Sequence, residues 1–296
     1  MKTTAEPLRI GTRGSGLART QSQWVADRLA ATTGRSAEIV VISTRGDQVR
    51  DRPLREIGGK GLFTKEIEDA LHGGDIDLAV HSMKDMPTEQ PPGLIFGAVP
   101  EREDPRDALV GCALADLPQG AAVGTGSPRR QAALLALRPD LEMRGLRGNV
   151  PTRIRKRTEQ GMAAVVLAYA GLLRLGLDHE AAEALDPEIM VPAAGQGALA
   201  VQCREGDGAV REALATIHHL DTAICVDAER AFLVALGGGC SSPIACHARL
   251  LPDGRMEVLA FAADERGGAW REQAIGAREE GEALGRALGL RLKARL

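Results

Sequence analysis

A chain of 296 residues with 44% hydrophobic residues can bury a large core and is long enough for two or three domains. The formal net charge is −3 and only seven residues are aromatic, which argues against a nucleic-acid binder that stacks bases. Five cysteines without a CxxC pair, no signal peptide and no apolar run of membrane-spanning length predict a protein of the reducing cytoplasm. The histidines are scattered without zinc spacing, so no metal site is predicted.

The first hundred residues alternate short apolar strands with helices. The predicted strands are 8–11, 38–43, 76–80 and 94–99, and the predicted helices are 17–31 and 63–72. A glycine-rich turn after the first strand carries Arg13 and Ser15, and the motif HSMKDMP places Lys84 and Asp85 directly after the third. Ligands of α/β domains bind at the carboxyl ends of strands, so both positions are candidate binding sites. The loop REIGGKGLF lacks the Ser or Thr that follows GK in a phosphate-binding P-loop, and that interpretation is rejected.

The rest of the chain repeats this alternation and then changes character. The predicted strands are 121–124, 164–168, 198–202, 245–250, 256–262 and 269–275, and the predicted helices begin at Pro128, at Thr222 and after Arg278. Strands alternating with helices in two blocks predict two α/β domains with mostly parallel sheets. The closing run of short strands predicts a small α+β domain.

The stretch from Gly124 to Arg157 concentrates positive charge in an acidic protein. From residue 129 onward it has eight arginines and one lysine against two acids. Ser127-Pro128 is typical of an N-cap and first helical residue, which puts Arg129 and Arg130 at the positive end of the helix dipole. Free backbone N–H groups, a hydroxyl and two guanidinium groups at one helix start favour a site for a multiply charged anion.

A solvated basic face is the alternative interpretation of this arginine run. The arginines lie among small residues, in GTGSPRR and RGLRGNV, instead of following an amphipathic helical pattern. This setting favours the anion site.

Cys240 is a candidate for covalent chemistry. It follows three glycines, which allow a large group to approach closely. An inert buried thiol is the alternative, and it is the prediction for Cys112, Cys203 and Cys225. A nucleophile pair of Cys240 with His247 is a further alternative, with no specific spacing to support it.

Asp85 is the one acid among the basic and hydroxyl groups that recur at the strand ends, including Arg174. A helix cap or a surface ion pair with Lys84 would explain it equally simply. The recurring pattern favours a polycarboxylate substrate, with one acid kept for proton or cation chemistry.

Eight motifs taken together resemble one family. In chain order they are RGSGLARTQ, GGKGLFTKEIE, HSMKDMP, VGTGSPRRQ, RGNVPTR, LAYAGLLRLG, PAAGQGALA and GGGCSSPIA. Over almost its whole length the sequence resembles the porphobilinogen deaminases, also called hydroxymethylbilane synthases. Ser242 and Pro151 depart from the family pattern, and each affects local loop geometry only.

The resemblance implies a fold of two α/β domains flanking a cleft, each like one half of a type II periplasmic binding protein, plus a small C-terminal α+β domain. The implied boundaries are 1–101 with 197–218 for domain 1, 102–196 for domain 2 and 219–296 for domain 3.

The resemblance also implies an activity. A transferase of this family joins four porphobilinogen molecules head to tail, releases ammonia and yields linear hydroxymethylbilane for tetrapyrrole and haem biosynthesis. The family cysteine, matched by Cys240, holds a dipyrromethane cofactor through a thioether. Each pyrrole carries two carboxylates, which accounts for many arginines in an acidic protein.

The family's site residues carry over position by position. The implied cofactor-binding residues are Lys84, Ser127, Arg129 and Arg130. The implied substrate-binding residues are Arg13, Ser15, Arg147, Arg153 and Arg174. The implied catalytic residue is Asp85, which would hold pyrrole N–H groups and stabilise the cationic azafulvene left when ammonia departs.

The implied partners are few. They are porphobilinogen as a small-molecule substrate and uroporphyrinogen-III synthase as the recipient of the product, with no nucleic acid and no membrane, for a cytoplasmic monomer. A periplasmic-type binding protein is a rival class that has no need of Cys240 and requires an export signal. A nucleic-acid binder is another, and its affinity would fall steeply with salt.

Overall fold

The computed structural model describes residues 6–44, 46, 64–237, 243–264 and 266–296. Its strands are β1 (Leu8–Thr12), β2 (Ala37–Val41), β3 (Leu78–Ser82), β4 (Leu94–Ala98), β5 (Asp107–Val110), β6 (Ala122–Gly124), β7 (Glu142–Arg144), β8 (Ala164–Ala168), β9 (Ala181–Ala184), β10 (Leu199–Arg204), β11 (Ile244–Leu250), β12 (Met256–Ala263) and β13 (Ala269–Gly276). Its helices are α1 (Gly16–Thr33), α2 (Lys65–Gly73), α3 (Pro128–Leu137), α4 (Val150–Glu159), α5 (Tyr169–Arg174), α6 (Gly208–Ala215), α7 (Leu220–Leu236) and α8 (Gly281–Lys293). Within these ranges no helix combines the length and apolar character needed to cross a membrane.

The chain divides into two compact units. Unit 1 comprises residues 1–102 with 198–223, and unit 2 comprises 103–197 with 224–296. Unit 2 holds both the second α/β sheet and the C-terminal sheet, because Leu109 and Val166 share a buried cluster with Ala245 and Phe261. The three domain boundaries implied by the resemblance stay a prediction.

The sheet of unit 1 has five strands in the order β2-β1-β3-β10-β4. β1 pairs in parallel with β2 and β3, whereas β10 is antiparallel to β3 and β4. The prediction of a mostly parallel sheet therefore holds for β1 to β3 and is wrong for β10. The reason is that the chain returns from unit 2 and enters the sheet in the opposite direction.

Helix α1 covers this sheet. Ser15 caps it by accepting a hydrogen bond from the Ala18 N–H at 3.2 Å. Val25, Ala26 and Leu29 lie on one side of the helix and are buried in one cluster with Leu8 and Ile10 of β1. This packing fixes the loop between β1 and α1, which carries Arg13.

The α/β sheet of unit 2 has the order β7-β6-β8-β5-β9. β6 is parallel to β7 and β8, and β5 is antiparallel to β8 and β9. The sequence does not predict β5, β7 or β9, because β7 and β9 are short and only partly buried and β5 opens with an acid.

Helix α4 (Val150–Glu159) is not predicted from the sequence, and it corrects one expectation. Pro151 was expected to affect local loop geometry, yet it lies within the helix. Asn149 caps the helix by accepting from the Thr152 N–H at 3.0 Å, and Pro151 lies in the first turn, where its missing N–H costs nothing. The cap signal outweighs the lack of an apolar stripe.

The C-terminal sheet is antiparallel in the order β11-β12-β13, and helices α7 and α8 pack beside it. The two helices touch backbone to backbone. A Cβ at Gly285 would overlap the carbonyl oxygen of Ala228, and one at Gly289 would lie 2.7 Å from that of Phe232. Helix α7, which leads to Cys240, is thereby fixed; Cys240 itself lies outside the described residues.

Candidate functional site

Four of the predicted site residues share one edge of the sheet of unit 1. They are Arg13 and Ser15 after β1 and Lys84 and Asp85 after β3. β1 and β3 are parallel neighbours, so their carboxyl ends lie side by side. The Gln21 side chain donates to the Ser82 hydroxyl at 3.0 Å and ties α1 to the end of β3.

Asp85 is held outward by a short, well-anchored turn. Residues 83–85 form one turn of 3-10 helix. Met83, its first residue, and Met86, which follows it, are both buried. The Met83 N–H donates to the Ala198 carbonyl at 3.0 Å. Asp85 is exposed, and among the residues that the structure describes its carboxylate makes neither a cap nor an ion pair. Both simpler explanations of Asp85 therefore lack a contact to support them.

His81 lies buried just before this turn. Burial lowers the pKa of His81 to about 4, a hydrogen bond with Gln202 opposes the shift, and the charge of Arg13 adds to it. The imidazole is therefore uncharged at neutral pH and adds no positive charge near Asp85.

The buried neutral His81 predicts a pH-dependent stability. Unfolded histidines titrate near pH 6.5, so between about pH 6.5 and 4 the unfolded chain binds the proton first. The contribution of neutral His81 to the free energy of unfolding is fully present above that window. It is lost as the pH falls through the window, by up to about 3 kcal/mol. We expect His81→Gln to reduce this dependence, measured by urea unfolding between pH 4.5 and 7.

The matched control for His81 is His179→Gln, since the side chain of His179 is 68% exposed. Equal pH dependence of the free energy of unfolding in wild type and His81→Gln would contradict the prediction.

The remaining predicted residues share one edge of the α/β sheet of unit 2. β6, β7 and β8 are parallel, so the segments that follow them start at the same edge. These segments carry Ser127, Arg129 and Arg130 after β6, Arg147 and Arg153 after β7, and Arg174 after β8. The first two segments are in backbone contact. The Thr125 N–H donates to the Arg144 carbonyl at 2.9 Å, and a Cβ at Gly126 would lie 2.7 Å from the carbonyl oxygen of Leu146.

Three of these arginines are only partly buried or exposed. Arg147 is exposed, and the half-buried Arg153 donates through Nε to the Gly148 carbonyl at 2.7 Å. Arg174 donates to the Gly197 carbonyl at 2.8 Å. Burial lowers the pKa of Arg174 to about 10, opposed by the charge of Glu103, so it remains cationic at neutral pH.

Arg129 and Arg130 occupy the helix start that the sequence predicts. Ser127 is the N-cap and accepts from the Arg130 N–H at 3.5 Å. Their side chains, however, are 4% and 5% exposed and converge on Asp107. Arg129 Nη1 lies 2.6 Å from Asp107 Oδ2, and Arg130 Nη2 lies 2.7 Å from Oδ1. A carboxylate of the chain itself is thus one anion at this helix start.

Asp107 is the functional candidate that the sequence reasoning missed. Burial alone would raise its pKa, but the charges of Arg129 and Arg130, with hydrogen bonds from Arg129 and Gln196, hold the pKa of Asp107 well below its usual range. The ionised carboxylate faces two guanidinium groups, which leaves one positive charge uncompensated within the cluster. A lone acid opening the apolar strand DALV was the available signal, since buried acids need a cationic partner.

This donor set fits a ligand that carries carboxylates. Two buried guanidinium groups favour planar anions, and the further arginines of the same edge extend the positive surface. The described part of the chain contains no group of three or more His, Cys, Asp or Glu that could hold a metal.

Comparisons with known proteins identify the family. The model "Porphobilinogen deaminase, dipyromethane cofactor binding domain" matches residues 8–212, and the model "Porphobilinogen deaminase, C-terminal domain" matches residues 223–294. The chain belongs to the porphobilinogen deaminase family. The members are transferases that make hydroxymethylbilane in tetrapyrrole biosynthesis, and the first matched domain is the one that binds the dipyrromethane cofactor.

Relatives match along nearly the whole chain. The porphobilinogen deaminase of Syntrophotalea carbinolica is 50% identical over 99% of this chain and 94% of its own length. That of Paracoccus denitrificans is 49% identical over 98% and 94%. Among solved structures, an ancestral cationic amino acid solute-binding protein has a TM-score of 0.46 at 16% identity, covering 76% of this chain and 93% of its own.

Proposed function

We propose that this chain makes hydroxymethylbilane by joining four porphobilinogen molecules head to tail on a dipyrromethane attached to Cys240. The observation that carries the proposal is the match of both family models, which together span residues 8–294 with a short gap. The arginine-lined edge in unit 2 and the exposed carboxylate of Asp85 in unit 1 support it chemically.

The arginines compensate the negative charge of the growing pyrrole chain. Each added pyrrole brings an acetate and a propionate, and guanidinium groups bind carboxylates with two parallel hydrogen bonds. We assign Lys84, Ser127, Arg129 and Arg130 to holding the cofactor. We assign Arg13, Ser15, Arg147, Arg153 and Arg174 to binding the substrate and its elongated forms. When bound, the cofactor supplies a pyrrole carbon to which the first substrate is joined.

Asp85 is assigned the electrostatic part of the chemistry. When ammonia leaves porphobilinogen, the substrate ring becomes a cation. A carboxylate fixed by the buried methionines of its turn needs no reorganisation to stabilise that charge. It can also accept hydrogen bonds from pyrrole N–H groups and orient the ring. Loss of the charge should therefore affect turnover more than substrate binding.

The experiment that tests the proposal begins with the purified protein. Its intact mass should exceed the mass of the polypeptide by a dipyrromethane, and acidic aldehyde reagent should give a coloured product. Added porphobilinogen should then release ammonia and yield a linear tetrapyrrole. A protein of polypeptide mass that binds porphobilinogen without releasing ammonia would instead be a binding protein and would overturn the proposal.

Arg130→Leu and Arg153→Leu should separate the two groups of arginines. Arg130→Leu removes a buried guanidinium beside Asp107, so we expect little cofactor in the purified protein. Arg153→Leu should keep the cofactor but lower the affinity for substrate roughly ten- to a hundredfold, the scale of a lost charge-assisted hydrogen bond. Intact mass reports the cofactor, and native electrophoresis counts the trapped enzyme–substrate complexes.

The control for these variants is Arg155→Leu on the same helix as Arg153. Arg155 is 67% exposed and pairs with Glu159, so its loss should change neither readout. If Arg130→Leu and Arg153→Leu both keep the cofactor and give the same distribution of complexes, the division of roles is wrong.

We further propose that the protein is a cytoplasmic monomer that passes its product to uroporphyrinogen-III synthase. The support is the family resemblance. Light scattering after size exclusion tests the oligomeric state, and product profiles with and without the synthase test the transfer.

A further inference from the structure

The buried cluster around Asp107 has more positive than negative charge. Two guanidinium groups, Arg129 and Arg130, face one carboxylate, and all three side chains are almost fully buried. Two guanidinium groups that both contact one carboxylate lie close enough to repel each other, and the low polarity of the interior strengthens the repulsion. Such a cluster is stabilised by further negative charge.

We propose that Asp107 is a positioning residue that holds Arg129 and Arg130 side by side, and that a carboxylate of the bound pyrrole chain supplies the second negative charge. This inference rests on the proposed function. It assigns to the chain's own carboxylate the task of presenting both arginines, so that the ligand completes a cluster that already has its geometry.

The hydrogen bonds show how Asp107 presents the two groups. Its Oδ2 accepts from Arg129 Nη1 at 2.6 Å, and its Oδ1 accepts from Arg130 Nε at 2.9 Å. Each arginine also donates to a backbone carbonyl. Arg129 donates to the Val191 carbonyl at 2.8 Å, and Arg130 donates to the Val166 carbonyl at 3.0 Å. Each guanidinium is therefore held at two points.

Arg129 keeps donor capacity for a ligand. A guanidinium has five N–H donors, and within the described residues the Arg129 hydrogen bonds all come from Nη1. Its Nε and Nη2 groups are thus available to a planar anion. Arg130, in contrast, uses all three nitrogens on Asp107 and Val166.

Gln196 fixes Asp107 in turn. Its side chain is fully buried and donates to Asp107 Oδ1 at 2.9 Å and to the Pro105 carbonyl at 2.7 Å. The carboxylate is therefore held by Gln196, which is itself bonded to the backbone before β5, as well as by the two arginines. A fixed carboxylate can orient its cationic partners, whereas a mobile one could only neutralise them.

The arrangement predicts that Asp107 and the cofactor share the task of compensating the arginines. With the cofactor attached, loss of Asp107 leaves one negative charge at the cluster. Without the cofactor it leaves none. The cost of removing the Asp107 charge should therefore depend on whether Cys240 carries the cofactor, which a merely structural residue would not show.

A double-mutant cycle tests this coupling. The four proteins are wild type, Asp107→Asn, Cys240→Ser and the double variant, with cofactor occupancy verified by intact mass. We expect Asp107→Asn to lower the midpoint of thermal unfolding by at least about 3 °C more in the Cys240→Ser background than in the cofactor-bearing protein. Equal shifts in the two backgrounds would overturn the inference.

The control is Asp104→Asn, which removes the same charge from a pair with Arg106 that is only half-buried. It should shift the midpoint equally in both backgrounds. Accumulation of Asp107→Asn only when the cofactor is attached would support the inference. If it accumulates in neither background, Asp107→Glu takes its place, because it keeps the charge and displaces it by one methylene. We then expect less cofactor in the purified protein, measured by intact mass, and full occupancy would overturn the positioning role.

The cycle also separates this inference from the proposed function. A wild-type mass without the pyrrole adduct would overturn the proposed function and the inference together. A wild-type protein that carries the adduct but gives additive shifts would leave the proposed function intact and overturn only the role of Asp107.

Discussion

Asp85→Asn is expected to lower turnover by a factor of at least about a hundred, the scale of losing one preorganised electrostatic contact. The neutral amide keeps the shape of the side chain and removes its charge. In the structure Asp85 is exposed on a turn anchored by Met83 and Met86, so the substitution should hardly change the stability. Single-turnover ammonia release, measured on protein that already carries the cofactor, reports the chemical step.

Asp85→Glu is the matched control, because it keeps the charge and displaces it by one methylene. We expect it to retain far more activity than Asp85→Asn and to form product slowly. Near-wild-type ammonia release from Asp85→Asn would show that the carboxylate has no part in the chemistry. An equal loss in both variants with reduced stability would point to a structural role for the turn.

Cys240→Ser is expected to abolish the covalent adduct and, with it, activity. The hydroxyl is a far weaker nucleophile than a thiolate, so the serine should not take up the pyrrole. Three of the other cysteines are poor substitutes, because Cys203 and Cys246 are fully buried and Cys225 is almost so. The intact mass should fall by the cofactor in addition to the sulfur-to-oxygen change.

The control for Cys240 is Cys112→Ser, since Cys112 is a half-buried free thiol. Its adduct should be that of wild type. Cys240→Ser should also unfold at a lower temperature, because a ligand attached to the native state contributes to its stability. An adduct that persists in Cys240→Ser would move the attachment to another residue.

The regular elements with strong local signals could be predicted from the sequence. β8 is observed at its predicted bounds, Ala164–Ala168, because a continuous apolar run between turn signals is typical of a buried strand. Helix α3 begins at Pro128 as predicted, because the Ser-Pro signal is local. β7, β9 and helix α6 lack such signals, since tertiary pairing and packing define them.

The site was predictable in its residue types and less so in its arrangement. The motifs placed Arg129 and Arg130 in the first turn of a helix, which the structure confirms. Their burial against Asp107 could not be inferred, because that contact joins residues more than twenty positions apart through a strand that the sequence did not reveal. The assignments of Lys84, Asp85 and Cys240 stay predictions that the variants above test.

The insertion of β10 between β3 and β4 has a consequence for how the protein is made. β4 ends at Ala98 and β10 begins at Leu199. At about 5–20 residues per second, a ribosome needs on the order of 5–20 seconds to synthesise the chain between them.

During that interval β3 (LAVHS) and β4 (LIFGA) lack β10, the strand that pairs with both. By the end of the interval all five strands of the α/β sheet of unit 2 have been synthesised. The sheet encoded first is therefore completed second. Until β10 emerges, the nascent chain exposes strand edges of the kind that aggregate or recruit chaperones.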